Sequence, residues 1–334
     1  MTMRVAIFGA GGWGKNHVRT FCSILGEEAV VVCDPDLDRL DAVRSRYPRV
    51  ETCNRPRSDG VDAVVIAAPA ALHYELAAEA LRDGFHVLVE KPIALTSADA
   101  RELVESADRN HRILMVDHLL EYHPAVLRLE ELVQEGRLGR ILHLDSRRLN
   151  LGVIRTEENA LWSLAPHDIS VILRLLGEMP EEIAAHGASY LQDGIVDLAH
   201  VTLQFPRGTL AHVHVSWLDP VKVRSLAVAG EKGMAVFDDT VSSDDPKRSK
   251  LTLFDARAER DGDRYVPRRG EAAPISLVEG EPLLRVAEAF LESIETGHPP
   301  VADGGDGLRV VRILEAAQAS LDAGGKVVRL GGGT

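Results

Sequence analysis

The chain has 334 residues, a formal net charge of −13 and a sequence pI near 5.5, which argue against nucleic acid or an anionic membrane as its main partner. Its 45% hydrophobic content is ordinary for a globular protein, its length is sufficient for two domains, and no apolar run approaches membrane-spanning length. A predicted strand begins at once, which leaves no room for a signal peptide, and the three cysteines (Cys22, Cys33 and Cys53) are odd in number. We therefore expect a cytoplasmic protein with reduced thiols.

The first part of the chain, from residue 3 to about residue 116, alternates short apolar runs with helix-length amphipathic segments. The predicted strands are Val5–Phe8, Ala29–Cys33, Val61–Ala67, Val87–Val89 and Ile113–Val116. The predicted helices between them cover about 13–25, 36–47, 71–83 and 97–110. This alternation is typical of parallel strands joined by helical crossovers, and strands that are apolar throughout indicate a sheet covered on both faces.

A glycine-rich segment joins the first predicted strand to the first predicted helix. Residues 5–14 read VAIFGAGGWG, an apolar run that leads into G-x-G-x-x-G. Gly9 permits a sharp turn off the strand, Gly11 lets a pyrophosphate approach the backbone, and Gly14 lets the helix pack close to the strand. The helix start, which includes Gly12 and Trp13, offers N–H groups and partial positive charge to phosphates. We predict a dinucleotide-binding loop here.

An acidic residue follows this loop at the spacing that the motif requires. Asp34 ends the second predicted strand, twenty residues after the last glycine of the motif. In this position a carboxylate accepts hydrogen bonds from the adenosine ribose hydroxyls, and a 2′-phosphate would meet a like charge. We therefore predict NAD as the cofactor, in preference to NADP.

Glu90-Lys91-Pro92 directly follows the predicted strand 87–89. Ligands of open α/β sheets bind outside the carboxyl ends of the strands, so Lys91 should reach the cofactor side of the sheet. Glu90 is placed to pair with or orient the lysine ammonium, and burial there would ease proton exchange with a substrate hydroxyl. The alternative interpretation is a solvated surface lysine.

After Pro124 the pattern changes from alternation to a succession of strands. A helix is predicted at about 125–135 and another at about 165–176. Strands are predicted at Arg140–Leu149, Ile183–Ala188, Ala199–Gln204, Leu210–Trp217, Val223–Ala229, Met234–Phe237 and Lys250–Phe254. The rest of 239–280 is predicted as long loops, and helices at about 283–296 and 307–322 close the chain. Consecutive strands with short turns indicate a largely antiparallel sheet, and the period-two pattern of 211–217 gives that sheet unequal faces.

The chain therefore divides into residues 1–121, an α/β Rossmann domain with a parallel sheet, and residues 122–334. The second domain is predicted to be α+β, with an open, mostly antiparallel sheet.

Several of these motifs together resemble one family. GAGGWG, the acid that closes the second strand, Ala68-Pro69 with His73 downstream, and Glu90-Lys91-Pro92 are similar to the glucose–fructose oxidoreductase/inositol dehydrogenase (Gfo/Idh/MocA) family. The resemblance implies that Pro69, His73 and Glu90 lie at the cofactor and that Lys91 polarises the oxygen on the reacting carbon. It also implies that residues 122–334 bind the substrate and mediate assembly through the open sheet, as a homodimer or homotetramer.

A second stretch, Leu149–Ser170, resembles a subgroup that includes UDP-N-acetylglucosamine 3-dehydrogenases and other nucleotide-sugar dehydrogenases. His167 occupies the histidine place of the D-x-x-x-H-x-x-D pattern that is common in the family, which implies an acid/base role or a hydrogen bond to the reacting hydroxyl. Ser163 and Ser170 stand where the family often has carboxylates. Asp168 is adjacent, although a side chain one position on points along another helix face.

Polar residues around this stretch are candidates for substrate binding. Arginine forks match paired oxygens of diphosphate or carboxylate, but Arg147 and Arg148 point to opposite strand faces, so at most one of them faces a pocket. The set comprises Tyr122, His123, Arg148, Asn150, Arg155, Asn159, Trp162 and Asp168. For each, a solvated face or a simple linker is the alternative. His212 and His214 share a strand face without a third ligand at matching spacing, so no metal site is predicted.

We predict an NAD-dependent oxidation of a ring hydroxyl, at C3 of a sugar such as UDP-N-acetylglucosamine in the leading interpretation. Lys91 and His167 are the expected catalytic residues, and a separate pyridoxal-phosphate aminotransferase would convert the keto sugar to an amino sugar. Three alternatives stay open. They are dehydrogenation of another activated sugar, such as a nucleotide-octose of lincosamide biosynthesis, an NADPH-dependent keto-sugar reductase, and a regulator that binds dinucleotide without turnover.

Overall fold

The computed structural model describes residues 3–57, 59–242, 245 and 248–331. The strands are β1 (Val5–Phe8), β2 (Val30–Cys33), β3 (Glu51–Cys53), β4 (Ala63–Ile66), β5 (His86–Val89), β6 (Leu114–Val116), β7 (Ile141–Leu149), β8 (Glu182–Ala188), β9 (Leu198–Gln204), β10 (Leu210–Ser216), β11 (Val223–Gly230), β12 (Met234–Asp238), β13 (Leu251–Phe254), β14 (Arg257–Asp261), β15 (Arg264–Arg268), β16 (Ala272–Pro274) and β17 (Val328–Arg329). The helices are α1 (Gly12–Leu25), α2 (Leu37–Arg46), α3 (His73–Arg82), α4 (Ser97–Asn110), α5 (Pro124–Gln134), α6 (Ala160–Leu164), α7 (Pro166–Leu176), α8 (Pro282–Thr296) and α9 (Gly304–Asp322).

The first sheet is parallel, with strand order β3-β2-β1-β4-β5-β6, which is the doubly wound order of dinucleotide-binding domains. Every position of β1, β2 and β4 is buried, as their continuous apolar sequences predict for a sheet covered on both faces. The predicted Rossmann architecture is confirmed. The sequence did not predict β3, because this edge strand is short and none of its residues is fully buried.

The chain forms two units, and the first is discontinuous. It comprises Met1–Tyr122 and Gly280–Arg312, and the second comprises His123–Glu279 and Ile313–Thr334. A single division after residue 121 does not describe this arrangement. The reason lies in α8, whose apolar face shares the core of the first unit: Phe290 belongs to the same buried cluster as Phe21 of α1.

The second unit is built on a nine-stranded sheet of order β16-β13-β12-β11-β7-β10-β9-β8-β17. Its described pairings are antiparallel except for β7 with β10, so the mostly antiparallel sheet is confirmed. One face is apolar and contacts α6 and α7, and the other carries exposed polar residues. Val213 of β10 is buried on the first face, whereas His212 is exposed on the second.

Two expectations are corrected. The segment 257–268, predicted as loop, forms the β14–β15 hairpin. Most of its side chains are exposed, so its sequence lacks the alternation of apolar and polar residues that marks a half-buried strand. The expectation of reduced thiols is wrong for one pair: Cys33 and Cys53 form a disulfide, with Cα atoms 4.7 Å apart. They are direct register partners on β2 and β3, a relation that appears only once β3 is known.

No helix in the described ranges combines the length and the apolar character that crossing a bilayer demands.

Candidate active site

The glycine loop after β1 has two glycines that the fold requires and two that leave open space. Gly9 has a φ of +104°, and a Cβ on it would lie 2.6 Å from the Ala67 carbonyl oxygen. A Cβ on Gly14 would lie 1.9 Å from the Gly9 carbonyl oxygen. By contrast, a Cβ on Gly11 would have its nearest neighbour 3.7 Å away, and one on Gly12 would have none within 4 Å. The loop therefore packs tightly against the sheet and leaves its outer backbone accessible to a phosphate.

Asp34, at the end of β2, is buried and fixes the loops around it. One carboxylate oxygen accepts a 2.7 Å hydrogen bond from the Ala10 N–H, and the other accepts a 2.8 Å hydrogen bond from the Asp36 N–H. Arg39 of α2 extends its guanidinium to 3.5 Å from the same carboxylate. Trp13, at the start of α1, is 39% exposed.

Arg39 was not predicted as a site residue. Its position, five residues after Asp34 in the first turn of the next helix, is a signal that the sequence contains. Its guanidinium also approaches the loop, because it is the nearest atom to a Cβ on Gly11. A cation in this place is able to pair with a 2′-phosphate, so Asp34 alone does not decide between NAD and NADP.

The loops after β4 and β5 meet at the carboxyl edge of the same sheet. The Glu90 N–H donates to the Ile66 carbonyl oxygen at 2.9 Å, which continues the β4–β5 ladder, and the half-buried Lys91 follows with a cis peptide bond to Pro92. His73, at the start of α3, is buried, and its ring nitrogens lie 2.7 Å from the Pro92 carbonyl oxygen and 2.9 Å from the Ala68 carbonyl oxygen. His73 therefore links the loop after β4 to the loop after β5 through hydrogen bonds.

Pro69 precedes the turn that leads into α3, and its carbonyl oxygen accepts a hydrogen bond from the Leu72 N–H. The structure thus brings Pro69, His73, Glu90 and Lys91 to one edge of the sheet.

Three buried titratable residues meet below this edge. His17 of α1 places its Nε2 3.1 Å from a Glu90 carboxylate oxygen and 3.4 Å from an Asp117 carboxylate oxygen. One ring nitrogen of His17 and one carboxylate oxygen from each of Glu90 and Asp117 lie within 4.8 Å of one another. No other trio of His, Cys, Asp or Glu in the described ranges has polar side-chain atoms this close together. His17 and Asp117 were not predicted. The signal was present, since Asp117 follows β6 just as Glu90 follows β5.

In the second unit, Asp168 is engaged by a buried salt bridge. It accepts hydrogen bonds from Arg148 Nε at 2.8 Å, Arg148 Nη2 at 3.1 Å and Ser146 Oγ at 2.7 Å. These bonds occupy both carboxylate oxygens and the guanidinium. His167 precedes Asp168 in the first turn of α7 and is half-buried. The contacts of Asp168 therefore point away from a role as the acid that assists His167, and Arg148 is a structural partner of Asp168.

Further charged groups lie beside this bridge. Arg224 of β11 is the register partner of Arg148. Burial, and then the charge of Arg148, lower the pKa of Arg224. Asp239 lies 3.7 Å from Arg224, 2.9 Å from Lys250 Nζ and 3.5 Å from His123 Nε2. Burial would raise the pKa of Asp239, but hydrogen bonds from His123 and Lys250 outweigh it, and the net pKa is lowered.

His123 is thus placed in a charged cluster, while its Nδ1 accepts a hydrogen bond from the Ala125 N–H and caps α5. Arg224 was not predicted, because its strand was identified only by its apolar residues.

The remaining predicted residues have other surroundings. Asn159 caps α6, accepting from the Trp162 N–H at 3.1 Å, and donates to Gln318 Oε1 at 2.8 Å. Arg155 pairs with Glu158 at 2.9 Å, and the Asn150 N–H donates to the Ser216 carbonyl oxygen at 3.1 Å. Tyr122 is buried in the core of the first unit, with its hydroxyl 3.5 Å from the Ala302 N–H. The half-buried Trp162 lies on α6, and the ring of His214 stacks on that of His200 at 3.9 Å.

Comparisons with known proteins agree with this geometry. Residues 3–118 match the model of the GFO/IDH/MocA oxidoreductase family, NAD-binding Rossmann fold, and residues 126–236 match the GFO/IDH/MocA C-terminal domain. A UDP-N-acetylglucosamine 3-dehydrogenase from Acidithiobacillus ferrooxidans is 25% identical over 331 residues, covering 96% of this chain and 98% of that protein. A solved structure of the enzyme superposes with a TM-score of 0.82, at 24% identity and with 97% and 99% of the two chains covered.

The chain is also similar to two other proteins. A myo-inositol 2-dehydrogenase from Thermotoga maritima is 26% identical over 335 residues, covering 96% of each chain. A protein of known structure from Magnetospirillum magnetotacticum is 30% identical, with a TM-score of 0.79 and coverage of 94% of this chain and 99% of that one.

Proposed function

The chain belongs to the Gfo/Idh/MocA family of oxidoreductases, and from that premise we propose that it oxidises a ring hydroxyl of a nucleotide-activated sugar with NAD. The leading candidate is C3 of UDP-N-acetylglucosamine or a related UDP-N-acetylhexosamine. The observation that carries the proposal is the position of Lys91 at the carboxyl edge of the sheet whose β1–α1 turn forms the glycine loop.

The residues of the first unit fit a dinucleotide. Gly11 and Gly12 leave the backbone at the start of α1 open, and Asp34 ends the neighbouring strand where ribose hydroxyls are bound in this fold. When bound, NAD supplies the nicotinamide ring that accepts a hydride.

We assign the proton chemistry to two side chains. Lys91 stabilises the oxygen of the reacting carbon as negative charge develops on it, and His167 accepts the hydroxyl proton. The hydroxyl proton would thus pass to His167, bound NAD would supply the acceptor for the hydride of the reacting carbon, and the sugar would leave as a ketone.

The charge balance of the second unit supports an anionic substrate. Arg148, Arg224 and Lys250 carry three positive charges against the two carboxylates of Asp168 and Asp239. A local positive excess in a chain with a net charge of −13 favours an anion such as a diphosphate.

Mass spectrometry on a panel of nucleotide sugars tests this function. Each sugar is incubated with the protein and NAD in the presence of a hydroxylamine-type ketone trap, because alcohol oxidation is unfavourable without removal of the product. We expect one UDP-N-acetylhexosamine to lose two hydrogens and to be trapped. Lys91→Met should lower turnover by a factor on the order of 10² or more with NAD affinity nearly kept, whereas Lys326→Met, an exposed control, should not. Return of every sugar unchanged would contradict the proposal.

A second candidate is the reduction of a keto sugar with NADPH. It is favoured by the Arg39 guanidinium, which lies 3.5 Å from Asp34 and is suited to a 2′-phosphate. Dissociation constants for NADH and NADPH distinguish the two: tighter binding of NADH supports the dehydrogenase, and tighter binding of NADPH supports the reductase.

Two partners follow as proposals from the same function. A keto sugar is a substrate for a pyridoxal-phosphate aminotransferase, so an enzyme of that class would consume the product. A second copy of the chain would cover the polar, exposed face of the nine-stranded sheet and give a homodimer or homotetramer. Light scattering that gives the mass of one chain would contradict this assembly.

A further inference from the structure

The buried cluster of His17, Glu90 and Asp117 is not used by the reaction described above. His17 and Asp117 are 0% exposed and Glu90 is 5% exposed. The three side chains come from α1 and from the ends of β5 and β6, and the Asp117 N–H donates to the Val89 carbonyl oxygen at 2.8 Å. Two carboxylates therefore share one imidazole in the interior of the first unit.

The charges within the cluster are set by this sharing. Burial, and then the charge of Glu90, raise the pKa of Asp117 to about 8, so its carboxyl group is protonated at neutral pH. Burial lowers the pKa of His17, but the hydrogen bond to Glu90 and the two acidic charges outweigh burial and raise it. Burial raises the pKa of Glu90, but the hydrogen bond from His17 and the charges of His17 and Lys91 outweigh burial, and the net pKa is lowered. These shifts favour an imidazolium–carboxylate pair of His17 and Glu90 beside a neutral acid.

Lys91 directly follows Glu90 in the chain, and its ammonium interacts electrostatically with the groups of the cluster. The positive charge of Lys91 lowers the pKa values of Glu90 and Asp117. Burial and the charge of Lys91 together lower the pKa of His118 to about 3. His118 is therefore neutral. Further buried titratable side chains of this region are His73 at the start of α3, and Glu121 and Tyr122 in the turn after β6.

Stability alone does not account for such a cluster. Removing charges from water costs free energy that their attraction often fails to restore, and apolar side chains of similar size commonly stabilise a buried site more. A buried charged cluster whose Glu90 directly precedes a lysine at the ligand-binding edge of a sheet is instead the arrangement found where protonation is tuned for function.

We propose that His17 is a positioning residue for Lys91: it pairs with Glu90, and through that carboxylate it sets the charge and the place of the lysine ammonium. The inference rests on the proposed function of Lys91. His17 limits how strongly Glu90 attracts the ammonium, so that Lys91 donates a hydrogen bond to the substrate oxygen more readily than it would beside an unpaired carboxylate. Because Asp117 stays protonated at neutral pH, it adds no second negative charge beside the His17–Glu90 pair.

The test measures the protonation of Lys91 without any substrate. The intact protein is trace-labelled with acetic anhydride from pH 6 to pH 11, and the Lys91 peptide is quantified by mass spectrometry, with exposed Lys326 as the internal reference. The chain has seven lysines, so each labelled peptide is resolved.

Opposite shifts are the expected signature. His17→Gln frees Glu90 to pair with Lys91 alone and should raise the pH midpoint of Lys91 labelling by about one pH unit. Glu90→Gln removes a negative charge and should lower the midpoint, whereas Asp117→Asn should lower it by less, because Asp117 is ionised only above about pH 8. His86→Gln is the matched control, because His86 begins the strand that Glu90 follows, and it should leave the midpoint unchanged.

The proposal is overturned if His17→Gln and Glu90→Gln shift the midpoint in the same direction or not at all. If His17→Gln does not fold, an unchanged midpoint in Glu90→Gln overturns the proposal by itself. A metal bound stoichiometrically in the purified protein and lost in Asp117→Asn would also overturn it. Because labelling needs no sugar, a failed search for the substrate leaves this result intact, and the two proposals fail separately.

Discussion

Replacement of Asp168 by Asn should destabilise the second unit by about 3–5 kcal/mol, the usual cost of removing one partner from a buried ion pair. The side chains of Arg148 and Asp168 are 10% and 6% exposed and are joined by two hydrogen bonds, with Ser146 Oγ as a third donor. Asn keeps the shape of Asp, but it leaves the guanidinium buried without a counter-charge. One amide position of Asn also presents N–H donors to groups that are donors themselves.

Asp145→Asn is a matched control, because the partner of Asp145, Arg147, is the neighbour of Arg148 on β7. Asp145 pairs with Arg147 at 2.9 Å, but these side chains are 37% and 56% exposed, so the pair should contribute less than about 1 kcal/mol. The two changes remove one carboxylate charge each from neighbouring arginines, and they differ in burial.

Urea unfolding monitored by tryptophan fluorescence measures both variants. Two of the three tryptophans, Trp162 and Trp217, lie in the second unit and report on its unfolding. On heating, Asp168→Asn should lower the melting temperature by about 10 °C and Asp145→Asn by only a few degrees at most. Equal losses in the two variants would refute the reasoning, as would a loss below about 1 kcal/mol in Asp168→Asn. Lost turnover with unchanged stability would instead identify Asp168 as a catalytic acid or base.

Three further predictions concern the glycine loop, Asp34 and Asp239. Gly14→Ala should raise the Kd for NADH at least about tenfold and lower the melting temperature, because its Cβ would lie 1.9 Å from a backbone oxygen, whereas Gly12→Ala should keep the fold; equal melting temperatures would contradict this. Asp34→Ser should improve NADPH binding relative to NADH by about tenfold or more, because Arg39 remains beside a site that has lost its negative charge; an unchanged Kd ratio in a fluorescence titration would count against it. Because the pKa of Asp239 is lower in the folded protein, its contribution to stability is complete above about pH 4 and is lost as the pH falls through the folded value. The stability difference between wild type and Asp239→Asn should therefore shrink on acidification, and a constant difference in urea unfolding would refute this.

The parallel sheet and its ligand edge were predictable because buried strands and the glycine loop leave strong local signals. Val5–Phe8 is apolar at every position, and Gly9 and Gly14 are positions where a side chain has no room. These features depend on residues close in sequence. The return of α8 to the first unit depends on packing between Phe290 and Phe21, which lie far apart in the chain, and no local pattern encodes that choice.

The candidate site was predicted in part for the same reason. Lys91 was identified because it follows an apolar strand, and the same rule applied to β6 would have selected Asp117. The partners of Asp168 were not predictable, because Arg148 meets it only after β7 and α7 have packed together. Arg224 was missed because its importance comes from register with Arg148, which a single strand does not reveal.

If hydride leaves a ring carbon of a nucleotide sugar, as we propose, an isotope on that carbon should be transferred to the cofactor. UDP-N-acetylglucosamine with deuterium at C3 is incubated with the protein, NAD and a ketone trap, and the NADH formed is analysed by mass spectrometry. The account predicts NADH that is one mass unit heavier, and unlabelled NADH from sugar that carries deuterium at C4 instead. NADH without deuterium from the C3-labelled sugar, or no NADH from any nucleotide sugar, would contradict it.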